Sequence, residues 1–279
     1  MKYITMNKIK KFTAHLVECE KSKATIEKYN RDLRCFSQWL GGKSVNKNVV
    51  LKYKEYLFEN YATASVNSIL SSVNSFLDYN GWSQFKVKTI RIQNQIFLSD
   101  ERELTKSEYE KLLLTAMEKN NTRLCLLMQT ICSTGIRVSE LRFITVESVN
   151  SGVAEISCKG KHRWAFLPTK LCIMLKKYIK YKKIRNGPVF VSENGNPLNR
   201  SNIWSDMKKL CRDAGVAESK VFPHNLRHLF ARTYYSAQKD IVRLADILGH
   251  SNVNTTRIYT KGTRDIYRKQ IQKLGLLDC

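Results

Sequence analysis

Apolar residues recur at steps of three and four along most of this 279-residue chain, and that spacing restricts it to a mainly helical fold. The clearest segment is SKATIEKYNRDLRCFSQWLGG, residues 22–42. One face of the predicted helix carries Ile26, Tyr29, Leu33, Phe36 and Leu40. The two glycines that follow Leu40 are typical of a helix end. With similar runs at residues 46–60 and 63–81, the first hundred residues predict a domain of four helices.

The helical periodicity breaks within RIQNQIFLSDERE, which ends at residue 103. We therefore predict a helical domain over residues 1–92, a linker over 93–103 and a second domain over 104–279. Thr105 and Glu108 have the spacing of a capping box, which predicts that the second domain begins with a helix.

The second domain also contains a segment typical of β-structure, GVAEISCKGKHRWAFLP, residues 152–168. Its apolar residues and basic turn predict a β-hairpin or a three-stranded sheet. Helical patterns flank it on both sides. The fold class that follows is mainly α with a small β-sheet: a helical N-terminal domain and a mixed α/β second domain.

Positive charge is spread along the whole chain, with 48 Lys and Arg against 24 Asp and Glu. Both halves are basic, so both could face one polyanion, and a nucleic acid backbone is the simplest candidate. No apolar run is long enough to span a bilayer, which predicts no membrane partner. The N-terminal segment has no apolar core of a secretory signal, so we expect a cytoplasmic protein.

The eight cysteines are scattered, and none forms a C-x-x-C pair. This argues against a zinc ribbon and a disulfide framework, and favours reduced thiols in the core. We predict no metal and no cofactor.

Three segments carry residues that could do chemistry. In STGIRVSELRF, Arg137 precedes the apolar positions Val138, Leu141 and Ile144, and a buried arginine needs a partner. The alternative is an arginine that extends to the surface. Taken alone, the turn from Lys159 to Arg163 is better explained as a basic turn that only improves solubility.

In KVFPHNLRHLFARTYY, a proline suits the start of a helix on which His224 and Arg227 share one face. His228 lies four residues from His224, a spacing that permits a metal pair. No acidic residue or cysteine accompanies it, so a core histidine bonded to the backbone is the ordinary explanation.

In LADILGHSNVNTTRIYTKG, His250 lies at a helix end and Tyr259 follows nine residues later. The alternative for this segment is a helix-turn-helix in which Asn254, Thr255 and Arg257 contact DNA. That alternative describes a regulator without catalysis.

Together these residues form a set suited to a phosphodiester without a metal ion. Guanidinium groups bind nonbridging phosphate oxygens and stabilise the charge of a pentacoordinate phosphorane. A tyrosine can attack phosphorus, but it needs a base or a strong positive field because its ordinary pKa is about 10. An ammonium on a turn can protonate the departing 5′-oxygen.

Four blocks, in order and spacing, resemble the tyrosine recombinase (lambda integrase) family over nearly the whole chain. They are TGIRVSEL, CKGKHR, PHNLRHLFA and LGHSNVNTTRIYT. Residues 22–40 are similar to the opening helix of that family's N-terminal core-binding domain, which binds DNA. The resemblance implies a site-specific DNA recombinase that cuts and rejoins strands through a 3′-phosphotyrosyl intermediate, with chemistry like that of type IB topoisomerases.

The resemblance also assigns roles to individual residues. Arg137 and Arg227 would hold the scissile phosphate, and His250 would add a hydrogen bond. His224 would be the base for the nucleophile Tyr259, and the helix would present His224 and Arg227 to a cleft rather than to the core.

Three further residues belong to the same implied site. Lys159 would be the general acid, and Glu140 would support the site. Pro168 falls one residue later than in the commonest family pattern, which leaves Lys161 as a substitute for Lys159. We interpret His228, outside the motif, as structural.

In the family, four protomers hold two double-stranded DNA sites and pass through a Holliday junction. The resemblance therefore implies a homotetramer on DNA, with a C-terminal segment, YRKQIQKLGLL, that packs on a neighbouring protomer. A helix folded back on its own domain is the alternative for that segment. Accessory DNA-bending or directionality proteins are further candidate partners.

The absence of an arm-binding domain before residue 21 favours a simple two-domain recombinase, Xer-like or of the mobile-element type. Integration and excision of a mobile element is the predicted role. Chromosome dimer resolution and DNA inversion are alternatives with the same chemistry, and DNA relaxation without a specific site is a third use of the same residues.

Overall fold

The structure is a computed structural model that describes residues 2–90, 103–158, 161–192, 195–259 and residue 272. The chain forms two compact units, residues 1–94 and 95–279. Each unit has an apolar core of its own. Residues 93–102 of the predicted linker and the C-terminal segment predicted to pack on a neighbouring protomer lie outside the described residues, apart from Gln272.

Between residues 2 and 90, the first unit contains four helices, as the apolar spacing predicts. They are α1 (Met6–Glu18), α2 (Lys23–Leu40), α3 (Lys47–Asn60) and α4 (Thr63–Tyr79), followed by a 3₁₀ turn at Ser83–Phe85. Side-chain oxygens of Thr5, Ser22 and Asn46 accept a backbone N–H in the first turns of α1, α2 and α3, which fixes where these helices begin.

The stripe predicted on α2 forms part of the core of the first unit. Leu33, Phe36 and Leu40 are buried, while Ile26 and Tyr29 pack at the edge of the cluster. Gly41 caps the helix in the left-handed conformation, with φ 55°, a region that favours glycine. The predicted helix end is therefore confirmed.

The second unit begins with α5 (Lys106–Glu118), and Thr105 and Glu108 form the predicted capping box in front of it. The unit continues with α6 (Thr122–Thr134), a 3₁₀ helix (Val138–Phe143), α7 (Val146–Ser151), β1 (Val153–Cys158) and β2 (Lys161–Phe166). As far as residue 259, the described part continues with α8 (Thr169–Lys182), α9 (Arg200–Ala214), α10 (Pro223–Gln238), α11 (Ile241–Leu248) and α12 (Val253–Thr256), with 3₁₀ turns at Glu218–Lys220 and Arg257–Tyr259.

The sheet of the second unit is a two-stranded antiparallel hairpin within the described residues. The register pairs Val153 with Phe166 and Ile156 with Arg163. Of the two predicted forms, the hairpin is therefore the one observed.

Helix α6 is buried over most of its length, from Leu124 to Ile131, and lies at the centre of the main core. Helices α5, α8, α9 and α10 pack against it. A smaller apolar cluster joins Ala231 of α10, Leu244 and Leu248 of α11, and Tyr259. The two clusters bring the end of α6, the start of α10 and the end of α11 together.

Free thiols are found at six cysteines whose side chains are described. Cys125, Cys172 and Cys211 are buried, as predicted for core thiols. Cys19 and Cys35 are exposed, so the prediction of core thiols is wrong for these two. No helix within the described ranges has the length and apolar character to cross a bilayer.

Candidate active site

Most of the site residues predicted from the sequence meet where four segments of the second unit converge. Arg137 caps the 3₁₀ helix that carries Glu140, and the first turns of α10 carry His224 and Arg227. His250 follows α11, and Tyr259 ends the last 3₁₀ turn. Ring contacts and a hydrogen bond connect His224, through His228, with Tyr259, His250 and Arg227. Arg163 links Glu140 to the end of α11 beside them.

Arg227 is the most deeply buried charged residue of this cluster, with 1% of its surface exposed. Its Nη1 donates to the carbonyl oxygen of Gly135 at 2.6 Å, and its Nη2 to that of Leu248 at 2.7 Å. These carbonyls terminate α6 and α11, where the helix dipole favours a cation. Two helix ends therefore enclose Arg227 and its side chain is closed to solvent, and the expectation that it faces the DNA-binding cleft stays a prediction.

Burial and the nearby charge of Arg137 lower the pKa of Arg227 to about 10. Arg227 therefore keeps its charge at neutral pH. The groups that bind Arg227 are neutral backbone carbonyls and not a carboxylate. Its positive charge is therefore not cancelled and can attract an anionic ligand.

His250 is held through both ring nitrogens. Its Nε2 lies 3.1 Å from Nη2 of Arg227, and its Nδ1 lies 2.9 Å from the hydroxyl of Thr256. Burial and the charges of Arg227 and Arg137 lower the pKa of His250 to about 4. The imidazole is thus neutral at physiological pH.

Tyr259 is buried in the smaller apolar cluster, and its ring contacts two imidazoles. The ring centroid of His228 lies 4.9 Å away and perpendicular to it, and that of His250 lies 6.2 Å away and nearly parallel. Burial raises the pKa of Tyr259, while the charge and hydrogen bond of Arg227, and the charge of Arg137, oppose that rise. The phenol therefore needs a base before it can attack.

His224 is exposed at the start of α10 and is the predicted base. Although exposed at its edge, the ring is partly buried, and this burial, followed by the charges of Arg227 and Arg137, lowers the pKa of His224. The imidazole is therefore neutral at physiological pH and can accept a proton. The ring centroid of His224 lies 4.3 Å from that of His228. His228 therefore contacts both the predicted base and Tyr259, a position that the sequence motif did not indicate.

Glu140 organises the second arginine of the site. Its Oε2 accepts the backbone N–H of Arg137 at 2.7 Å, and its Oε1 accepts Nη1 of the same residue at 2.9 Å. Burial alone would raise the pKa of Glu140, but the backbone N–H of Arg137 and the charges of Arg163 and Arg137 outweigh it and lower the pKa. The supporting position predicted for Glu140 agrees with these contacts.

The predicted general acid is outside the part of the chain that the structure describes. Lys159 lies outside the described residues, and Lys161 is described only as the first residue of β2. Which of the two lysines protonates the leaving oxygen stays a prediction.

The sequence motifs did not indicate two residues of the cluster. Arg163 donates from Nη2 to Oε2 of Glu140 at 2.6 Å, and Thr256 holds His250. A weak signal existed for Arg163, since it ends the basic turn that begins at Lys159 in the sequence. Nothing in the spacing distinguished Thr256 from its threonine neighbour.

Up to residue 259, where the description stops, the segment with the alternative interpretation as a helix-turn-helix has no recognition helix after its turn. Helix α12 has four residues, Val253–Thr256, which is shorter than a helix that reads a major groove. Thr256 is buried and bonded to His250, while Asn254, Thr255 and Arg257 are exposed. The segment instead positions His250 and Tyr259.

A buried tyrosine beside two arginines and three histidines, in a helical unit with a β-hairpin, defines the class of tyrosine recombinases. Comparison with known proteins agrees. Residues 102–265 match the family model described as "Phage integrase family", and residues 9–84 match "Phage integrase, N-terminal SAM-like domain". The chain belongs to the phage integrase family, and it is a site-specific recombinase of DNA.

Relatives match along nearly their full length. Tyrosine recombinase XerA of Pyrococcus furiosus is 27% identical over 279 residues, covering 97% of this chain and 94% of the relative. Tyrosine recombinase XerD of Staphylococcus saprophyticus is 30% identical over 271 residues, covering 89% and 91%.

Solved structures share the fold. A lambda integrase dimer bound to a COC′ core site superposes with a TM-score of 0.76 at 16% identity, covering 93% of this chain and 96% of that one. XerH bound to its difH substrate before cleavage gives a TM-score of 0.70 at 21% identity, covering 88% and 78%. The predicted fold class is confirmed.

Proposed function

We propose that Tyr259 is the nucleophile of this recombinase. Its phenolic oxygen attacks the scissile phosphorus, the bond from phosphorus to the 5′-oxygen breaks, and a 3′-phosphotyrosyl link forms. The phenolic proton goes to a base, and the departing oxygen takes a proton from a general acid and leaves as a 5′-hydroxyl. The observation that carries this proposal is the position of Tyr259, whose ring contacts those of His228 and His250, while His250 is bound to the buried guanidinium of Arg227 at 3.1 Å.

The other predicted residues take their roles from the charges around Tyr259. Arg137 and Arg227 stabilise the phosphorane, because fixed cations act strongly on charge that develops in a site shielded from water. His224 takes the phenolic proton. On DNA, His250 contacts the phosphate as an imidazolium, because the neutral ring donates its single proton to Thr256 and has none left for the phosphate. Lys159, or Lys161 in its place, protonates the 5′-oxygen, because an amine on a turn can reach the leaving group.

The bond energy is retained in the phosphotyrosyl link, so a 5′-hydroxyl of a second strand can reverse the attack and rejoin the DNA. A solved lambda integrase tetramer is bound to a Holliday junction, and it covers 91% of this chain with a TM-score of 0.71. By analogy, this chain binds a double-stranded recombination site as a homotetramer, with the helical residues 1–92 as its core-binding domain. The net charge of +24 suits both units to the DNA backbone.

Covalent capture tests the nucleophile on a mixture of DNA sequences. The protein is incubated with fragmented DNA from its source, adducts are retained through a denaturing wash, and the captured ends are sequenced. Wild type should retain DNA at a small number of sites, and Tyr259→Phe should retain none. Equal retention by Tyr259→Phe, or no adduct from wild type, would remove the assignment.

The captured sequences also decide the biological role. Integration and excision of a mobile element is the role that we propose, and it predicts that the captured sites lie at element ends. A single chromosomal site indicates dimer resolution, and inverted pairs of sites indicate inversion. Both Xer recombinases and a TnP I resolvase of Bacillus thuringiensis are among the relatives.

A further inference from the structure

Arg163 makes contacts that reach three segments of the candidate active site. It lies on β2, and 12% of its side-chain surface is exposed. Nη2 donates to Oε2 of Glu140 at 2.6 Å, and Nη1 donates to the carbonyl oxygen of Ile247 at 2.6 Å. One side chain thus joins the hairpin, the 3₁₀ helix after α6 and the last turn of α11.

The aliphatic part of Arg163 packs against the turn that carries His250. A Cβ atom built on Gly249 would lie 2.3 Å from Cδ of Arg163, so glycine is the residue that allows this approach. Gly249 also has φ 64°, in the left-handed region. Leu248, whose carbonyl binds Arg227, precedes this glycine, and His250 follows it.

The carboxylate of Glu140 divides its two oxygens between two arginines. Oε1 binds the side chain of Arg137, while Oε2 binds Arg163 and the backbone of Arg137. A carboxylate paired with one guanidinium can rotate about its last bond. The guanidinium of Arg163 is also bound to the carbonyl of Ile247, and it therefore holds the carboxylate of Glu140 in one orientation. That orientation in turn positions Arg137.

We propose that Arg163 is a positioning residue for the phosphate-binding groups of the recombinase. It sets Arg137 through Glu140, and it sets His250 through the backbone of residues 247–249. Arg163 itself acts without touching DNA. This inference rests on the proposed function, because it assumes that Arg137 and His250 contact the scissile phosphate.

The test compares Arg163→Met with Arg232→Met. Methionine keeps an aliphatic stem and removes the guanidinium in both variants. Arg232 of α10 is a matched control, since it also pairs with a glutamate, Glu103, and donates to a backbone carbonyl, that of Leu104. Both of these partners lie outside the cluster around Tyr259.

Each variant is assayed with two substrates built on a captured site, one with a normal scissile phosphate and one with a methylphosphonate there. A methylphosphonate has lost the negative charge that the arginines neutralise. Single-turnover cleavage is measured at saturating protein. We expect Arg163→Met to slow cleavage of the phosphate by roughly 10- to 100-fold, as removal of outer-shell support does at other sites. The loss on the methylphosphonate should be about 3-fold or less.

A residue that only supports folding would reduce both rates by the same factor. Equal losses on the two substrates, or a phosphate rate within about twofold of Arg232→Met, would overturn the proposal. If Arg163→Met does not fold, Arg163→Lys replaces it, because an ammonium can reach Glu140 or Ile247 but lacks the fork that binds both. Failure of wild type to form the Tyr259 adduct would refute the proposed function itself. The comparison of the two substrates, made only when wild type forms the adduct, tests the role of Arg163.

Discussion

The Nε2 atom of His250 lies 3.1 Å from a guanidinium nitrogen of Arg227, and this contact fixes the protonation state of the imidazole. A guanidinium only donates hydrogen bonds, so Nε2 must accept. The single proton of the neutral ring is then on Nδ1, which donates to the hydroxyl of Thr256 at 2.9 Å. In the free protein, His250 is therefore a neutral Nδ1–H tautomer.

The first prediction concerns Thr256→Val, which keeps the shape of the side chain and removes the acceptor for Nδ1–H. Because Nδ1–H then has no acceptor and only the Arg227 contact at Nε2 holds the ring, His250 should lose part of its orientation, and cleavage should slow by roughly 10-fold, the effect of removing a partner that orients a ligand histidine. Thr130→Val is the matched control, because Thr130 is also buried and its hydroxyl donates to the backbone carbonyl of Leu126 at 2.7 Å, within its own helix. Cleavage of a captured site is the measurement, and equal rates for the two variants would contradict the prediction.

The second prediction is loss of stability in mild acid. Burial, His224 and Arg227 lower the pKa of His228 to about 4, and the pKa of His250 is also about 4. Between about pH 6.5 and about pH 4 the unfolded chain therefore binds protons that the folded chain does not. The free energy of unfolding should therefore be unaffected by these histidines above about pH 6.5, and should fall as the pH is lowered from there towards about pH 4.

His228→Phe isolates one of these groups. Nε2 of His228 is buried without a hydrogen-bond partner among the described residues, so phenylalanine should be tolerated there. We expect a smaller decrease of the unfolding midpoint from neutral to mildly acidic pH in this variant than in wild type. His162→Gln, at an exposed position of β2, is the control. Parallel pH profiles for wild type and His228→Phe would show that His228 does not contribute.

Features of the fold that depend on residues close together in the chain could be predicted from the sequence. The stripe on α2, its end at Gly41 and the capping box at Thr105 depend on residues within one or two turns. The set of Arg137, Arg227, His250 and Tyr259 was found for a similar reason, because each residue lies in a short motif whose residue types suit one chemistry.

The contacts between distant segments could not be predicted in this way. Burial of Arg227 requires the ends of α6 and α11 to meet around it. The carbonyls that it binds there lie 92 and 21 positions away from it in the sequence. Arg163 reaches Ile247 across 84 residues. The periodicity of a sequence carries no information on contacts between such distant residues. From the sequence, Arg163 could therefore be either an exposed residue of a basic turn or a buried residue that links two segments.

The third prediction is that Glu140→Gln destabilises the second unit. Glu140 is 4% exposed and compensates two arginines, so the amide would leave their charges without this anion. The free energy of unfolding should fall by about 2 kcal/mol, in the range for hydrogen bonds to charged groups. Glu110→Gln, at an exposed ion pair with Lys106, should change it by less than about 0.5 kcal/mol.

Chemical denaturation measures the Glu140 effect, and its pH dependence gives a second check. Because the pKa of Glu140 is lowered in the folded state, its contribution is complete above the unfolded pKa of about 4.3 and is lost as the pH falls through the folded value. The difference between wild type and Glu140→Gln should therefore narrow in acid. A difference that widens there would contradict the assignment of the charge.

The last prediction concerns a buried network in the first unit. Nζ of Lys28 binds Oδ2 of Asp32 at 2.7 Å, the carbonyl of Ser68 at 2.8 Å and Oγ of Ser72 at 2.9 Å. Lys28→Met should leave Asp32 as a buried charge that has lost its closest cation, which costs about 2–4 kcal/mol. Arg34→Met, on the exposed face of the same helix, is the control.

Hydrogen exchange of peptides from α2 and α4 localises the effect to these helices. Both should exchange faster in Lys28→Met than in Arg34→Met, because the network joins the two helices. Adding Asp32→Asn to Lys28→Met should restore most of the protection, since the uncompensated charge is then removed. If the double variant is no more protected than Lys28→Met, the packing of the lysine stem, and not the charge of Asp32, links α2 to α4.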